Sequence, residues 1–439
     1  MSERKLDHKD ILYSNARLLD PASNLDKVSD ILVIKGKIAD IGKRLKTQGT
    51  SKNIKTVNCK GMCISPGLID MRTQLREPGY EHKETLESGA RAAVAGGVTT
   101  LCCLPNTNPI IDNVALVDFI KRRSMQMGLG RIYPYAALTQ GMNGEEITEM
   151  GLLSEAGALG FTDGEKTISN ALVMLRALSY SNAFNALIIQ HPEELALSNE
   201  GVMNQSEIST RLGLSGIPNQ AESIIINRDL QLLELTGGRY HVSHISTSQS
   251  VREIRQAKKN GLNVTCDTAP QYFSLNDLAI EEYRTFARLS PPLRSEKDRL
   301  AIIEGLQDGT IDVIASDHSP HDEDSKRLPF AQAANGAIGL ETLLPISLEL
   351  YHNKQLSLLQ TLEKLSYAPA KILNLPVGRM EKGAIADLII FDPDKPWKID
   401  ASKFISKSKN TPFDERPTQG KVYQTIIAGK TVYTSEDFS

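Results

Sequence analysis

Four side chains able to bind a metal or carry a proton stand at the ends of short apolar runs: Asp163 in GALGFTD, His191 in NALIIQH, His244 in RYHVSH and Asp317 in DVIASD. Imidazole and carboxylate together suit a divalent ion such as zinc, which takes N and O donors. A lone His is more often a satisfied core residue. Four such groups at successive run ends instead point to one convergent site.

The elements that must position them lie between about residues 65 and 370. Short apolar strands such as GVTTLCCLP, RIYPYAAL and LNVTCDTAP alternate there with helical stretches such as ETLESGARAAVAG and QSVREIRQAKKNG. This alternation argues for an α/β architecture, and its length fits a (β/α)8 barrel. In such a barrel the C-terminal strand ends form the active face, so the four groups would share one mouth. Residues 1–60 and 380–439 read differently, as short strands between Gly, Asp and Ser turns. They are expected to pair into one small β module. No strand is followed by G-x-G-x-x-G, which argues against dinucleotide binding.

The chain has 439 residues, with 50 Lys plus Arg against 53 Asp plus Glu, so its net charge of −3 carries no footprint for nucleic acid or an anionic membrane. It lacks an apolar run of about 18 residues, and its opening MSERKLDHKD lacks the apolar centre of a secretory signal. Five cysteines make no disulfide framework, and Cys102 and Cys103 sit in an apolar run as small hydrophobes. The expectation is a soluble, cytoplasmic, globular protein.

Nearly the whole chain resembles the dihydroorotase branch of the amidohydrolase superfamily. The resemblance rests on GMCISPGLIDMR, LREPGYEHKE, AGGVTTLCCLPNTNP, GFTDG, HVSHIST, SPPLRSEKDR, DVIASDHSPH, IGLETLLP and GAIADLIIFDP. It implies a metal-dependent (β/α)8 barrel carrying a small β-sandwich module built from both termini. It also implies interconversion of N-carbamoyl-aspartate and dihydroorotate, in pyrimidine biosynthesis.

Residue by residue the match is uneven. The family carries D-x-H-x-H after the first barrel strand, and the two imidazoles bind the more buried metal. Here Arg72 and Gln74 stand in those positions. A guanidinium stays protonated and cannot ligate. Arg72 is expected to pair with Asp317 or Asp163 instead. Pro270-Gln271-Tyr272 stands where many relatives have Pro-His-His, and Ser290 replaces an Asn that helps hold the substrate ring. What survives is equally specific. Arg76 and Asn106 match the residues that grip the substrate carboxylate, and His321 matches the substrate-side His. Asp163 matches a bridging carboxylate, His191 and His244 the ligands of the second metal, and Asp317 the general acid/base. His318 is expected to pack locally, His241 to face away from the mouth, and His82 to be a solvated loop residue. Residues 319–335 are polar and suit either a mobile active-site loop or a plain surface loop.

Two readings follow. Asp163, His191 and His244 make the usual count of three protein ligands for a catalytic zinc, with Asp317 as base. One zinc ion, or none, is therefore expected, and a small cyclic amide as substrate. The rival is a non-catalytic relative serving as scaffold, commonly for aspartate transcarbamoylase, within a homo-oligomer. A hydantoinase- or allantoinase-like activity on another cyclic ureide is a minor third.

Overall fold

A computed structural model describes residues 10–45 and 54–438. The charged opening segment 1–9, read above as lacking a signal core, lies outside the described residues. Seven strands and one short seam close a parallel barrel. Leu68–Thr73 pairs with Val98–Cys103, and this strand pairs with Arg131–Pro134. Leu187–Gln190, Arg239–Val242, Val264–Thr268 and Val313–Ile314 pair in that order. Phe161 bridges the two groups on one side, between Ala136 and Ile188, and Thr73 meets His318 on the other. The GALGFTD run is thus a two-residue seam rather than a ladder. Phe161 N donates to Leu187 O at 2.9 Å and Thr162 N to Ala136 O at 3.0 Å. Gly160 lets the neighbours close in, because a Cβ there would stand 3.0 Å from Ile189.

The second layer is an eight-stranded sheet. Lys430–Thr434, Pro417–Ile427 and Leu388–Lys398 continue through Cys63–Pro66 into Ile11–Asp20, Leu25–Ile34 and Lys37–Gly42, with Lys55–Asn58 also beside Ile11–Asp20. Strand periodicity explains how it joins the barrel. Leu388 and Ile390 pack with Tyr13, Leu18, Ile31 and Ile64 on one face. Ile389 and Phe391, on the other face, belong to the core that includes the barrel strands. Gly97 lies under that second face, where a Cβ would meet Ile389 and Val422 at 3.3 Å.

Local signals set the helices around the barrel. Ser248–Lys259, for example, starts where the Thr247 hydroxyl accepts from Ser250 N at 3.1 Å, and ends with Lys258 and Lys259 in its last turn. Its buried Val251 and Ile254 are three apart, on one helix face. All five cysteines are buried and free. Among the described residues no helix is long and apolar enough to cross a membrane.

Candidate active site at the barrel mouth

The first barrel strand enters the site through Asp70. Its Oδ1 accepts from Arg72 N at 3.1 Å and Ser316 N at 3.0 Å, tying the first strand to the end of the last. Burial pushes its pKa up to about 7. Two residues on, Arg72 is 2% exposed and its Nε donates to Asp317 Oδ1 at 2.9 Å. This is one of the two pairings expected above. Burial raises the Asp317 pKa while the Arg72 cation opposes that shift.

The same Asp317 oxygen lies 3.3 Å from His244 Nδ1, and His244 Nε2 lies 2.6 Å from His191 Nδ1. His191 Nε2 in turn stands 3.4 Å from Glu193 Oε2. Arg72, Asp317, His244, His191 and Glu193 therefore form one nearly buried line. Desolvation, then the Arg72 and His191 charges, depress the His244 pKa well below the ordinary value.

This donor set does not fit the expected zinc. Two imidazoles on a tetrahedral zinc put their nitrogens about 3.3 Å apart, with both lone pairs on the metal. Here the facing nitrogens are 2.6 Å apart, at hydrogen-bond distance from each other. Asp163, the third expected ligand, is turned elsewhere. Its Oδ1 accepts from the backbone N of Leu138 and of Thr139, both at 2.9 Å, and its Oδ2 accepts from the Thr139 hydroxyl. The carboxylate so held caps the loop after the third strand. Among the described residues no group of three or more His, Cys, Asp or Glu converges on a point. Arg72, held by Asp317, adds a fixed cation against any incoming dication.

Gln74 organises the outer wall. Its Nε2 donates to Glu165 Oε1 at 2.8 Å and to Ser319 Oγ at 3.2 Å, and its Oε1 accepts from Asn106 Nδ2 at 2.9 Å. Asn106 is thus linked to the motif position where imidazole is missing. Arg76, at φ 63°, donates from Nε to Pro320 O at 3.1 Å and from Nη2 to Ser319 Oγ at 3.1 Å. His321 Nε2 lies 2.7 Å from Asn335 O, so that nitrogen carries the proton. Burial and the neighbouring Arg76, Lys83 and Lys326 charges push its pKa down to about 3. Ser290 is half-buried at the start of the Pro-Pro-Leu-Arg turn. His82 is on an exposed loop. His318 packs locally, its Nδ1 accepting from Gly339 N at 3.2 Å.

Three supporting residues escaped the reading of strand ends. Asp267 ends the strand Val264–Thr268, receiving His244 N at 2.7 Å and facing His241 Nε2 at 2.8 Å. The same rule of a polar residue at a strand end could have found it in VTCDT. Glu222 and Arg294 lie far apart in sequence, and no spacing joins them. Glu222 accepts from Ser246 N at 3.0 Å and Thr247 N at 3.1 Å, just after His244, and Arg294 Nε reaches Ser246 Oγ at 3.1 Å.

Segment 319–335 is pinned rather than loose. Lys326, 2% exposed, donates to Ala334 O at 2.7 Å, and burial pushes its pKa down to about 7. The unfolded residue holds its proton up to about pH 10.5. Stability from this group is therefore full above pH 10.5, and is lost as pH falls through about 7. Lys326→Met is expected to flatten that slope, as read by urea unfolding at several pH values between 7 and 10. An unchanged slope would remove Lys326 as its source.

A family model described as dihydro-orotase-like matches residues 61–250. A protein of Ehrlichia canis (strain Jake) named dihydroorotase is 46% identical over 427 residues, covering 97% of this chain and 95% of that protein. One of Pelobacter propionicus with the same name is 47% identical over 423 residues, covering 96% and 99%. Among solved structures, L-hydantoinase (dihydropyrimidinase) from Arthrobacter aurescens is similar with a TM-score of 0.85 at 26% identity, over 98% of this chain and 97% of that one.

Proposed function

Because this chain belongs to the dihydroorotase family of cyclic amidohydrolases, we propose that it interconverts dihydroorotate and N-carbamoyl-aspartate at this mouth, without a metal step. The observation that carries the reading is the buried line from Arg72 through Asp317 to His244 and His191. It places a fixed cation, a carboxylate and two imidazoles together. Asp317, its basicity raised by burial, takes a proton from water as the water oxygen bonds to the ring carbonyl carbon. The free Arg72 N–H groups stabilise the oxyanion that develops. The ring C–N bond then breaks, and the proton passes from Asp317 to the departing nitrogen. Ring closure is the reverse. Arg76 holds the carboxylate that does not react. Asn106, Ser290 and His321 complete the substrate wall.

A second reading is favoured by the same ion pair. Arg72 holds the carboxylate that would act as base, as expected of a non-catalytic family member that serves a partner, aspartate transcarbamoylase, within a homo-oligomeric assembly. The five buried free cysteines fit the cytoplasm for either reading. Assays in both directions, with and without chelator, separate them. Turnover that persists in chelator supports the first. No turnover, with a stable complex by size exclusion, supports the second. Turnover on hydantoins alone would replace both with a different cyclic ureide as substrate.

In the active case Arg76→Lys is expected to raise KM about tenfold with little change in kcat. The substitution weakens a two-point carboxylate grip that is the same in ground and transition states. A fall confined to kcat would remove Arg76 from substrate binding.

A further inference from the structure

The guanidinium of Arg72 is only partly used. Its Nε is bonded to Asp317, but Nη1 and Nη2 are buried and have no hydrogen-bond partner among the described residues. Asp317 Oδ1 is bonded to Nε, and neither Nη group reaches that carboxylate, the His244 ring or the Tyr272 hydroxyl, whose own bond goes to Pro291 O at 2.9 Å. Unpartnered buried donors on a charged group are costly, so they mark a position for an acceptor that the chain does not supply. Side by side in one plane, Nη1 and Nη2 form the fork that a carboxylate meets with both oxygens.

A second guanidinium, Arg76, lies four residues along the same segment at the same mouth. Its Nη2 and the Gln74 amide share Ser319 Oγ, at 3.1 and 3.2 Å. Along the segment the two arginines are separated by Thr73, Gln74 and Leu75, with no other charge between them.

We propose that Arg72 has turned the former metal floor into a carboxylate site, so that the paired arginines select an open-chain ureido dicarboxylate over the ring-closed cyclic amide. This rests on the substrate pair named above, but not on turnover. The open acid has two carboxylates for two forks. The ring has one carboxylate, and its carbonyl offers Arg72 only a neutral acceptor. A metal ion would serve either form. A guanidinium anchored to Asp317 distinguishes them by charge.

Isothermal titration of the full chain with N-carbamoyl-aspartate and with dihydroorotate tests this. Wild type is expected to bind the open acid about tenfold or more tightly than the ring, since a hydrogen bond to a charged group is stronger than one to a neutral acceptor by about that factor. Arg72→Met should bring the ratio close to one, chiefly by weakening the open acid. Because that variant leaves Asp317 buried without its cation, Arg72→Met/Asp317→Asn serves as the folded control and should show the same collapsed ratio. Equal affinities in wild type, or a ratio unchanged by both variants, overturn the inference while leaving the substrate reading intact. Wild type that binds neither compound overturns both.

Discussion

Asp317→Asn is expected to lower dihydroorotate turnover by about 10²–10⁴-fold, since a carboxamide cannot carry the proton that the reaction moves. The same change should cost about 3–5 kcal/mol of stability, because it strips a buried guanidinium of its counter-charge. The pair is well suited to show this: Arg72 and Asp317 side chains are 2% and 10% exposed, with little solvent to compensate. Steady-state rates in both directions and urea unfolding measure the two effects separately. Arg72→Met/Asp317→Asn should recover much of the lost stability and none of the activity, because it removes both charges together. A double variant as unstable as the sum of the singles would mean that the ion pair does not couple the two positions. In a chain without turnover the stability result alone remains, and it is the same.

The second large effect is expected behind His244, at Glu222. Glu222, 2% exposed, accepts from Ser246 N and Thr247 N, from the Ser246 hydroxyl, and from Ser250 Oγ at 2.6 Å. Its carboxylate also stands 3.8 Å from Arg294. Glu222→Ala would leave these donors and a buried guanidinium without an acceptor, at a cost of about 3–5 kcal/mol. Glu222→Gln should cost less, since one amide oxygen keeps part of the backbone grip. Because Ser246 and Thr247 follow His244 directly, the Gln variant should also loosen that imidazole. Chemical unfolding gives the stability, and the NMR shifts of the His244 ring report the loosening. If His244 is unmoved in a folded Glu222→Gln protein, Glu222 supports the fold without positioning the site.

Strand–helix alternation, the strand-rich ends and the ordered motifs were enough to specify the barrel, its β layer and the family. These are local or one-dimensional signals: apolar period sets strand or helix, and a strand end sets which residues reach the mouth. The sequence by itself also determined that neither Arg72 nor Gln74 replaces the imidazole expected at its position, because that follows from side-chain chemistry. Tertiary structure decided what those residues do instead. Arg72 and Asp317 are 245 residues apart, and both Asp163 and Thr139 had to be folded before the carboxylate could be seen to cap a loop. Asp163 shows the limit most clearly. Its position in GFTDG matches a bridging ligand, and only the fold brings the backbone N–H groups of Leu138 and Thr139 onto it. A carboxylate has few lone pairs and turns toward whatever donors the fold brings within 3 Å, and sequence spacing does not encode which donors those are.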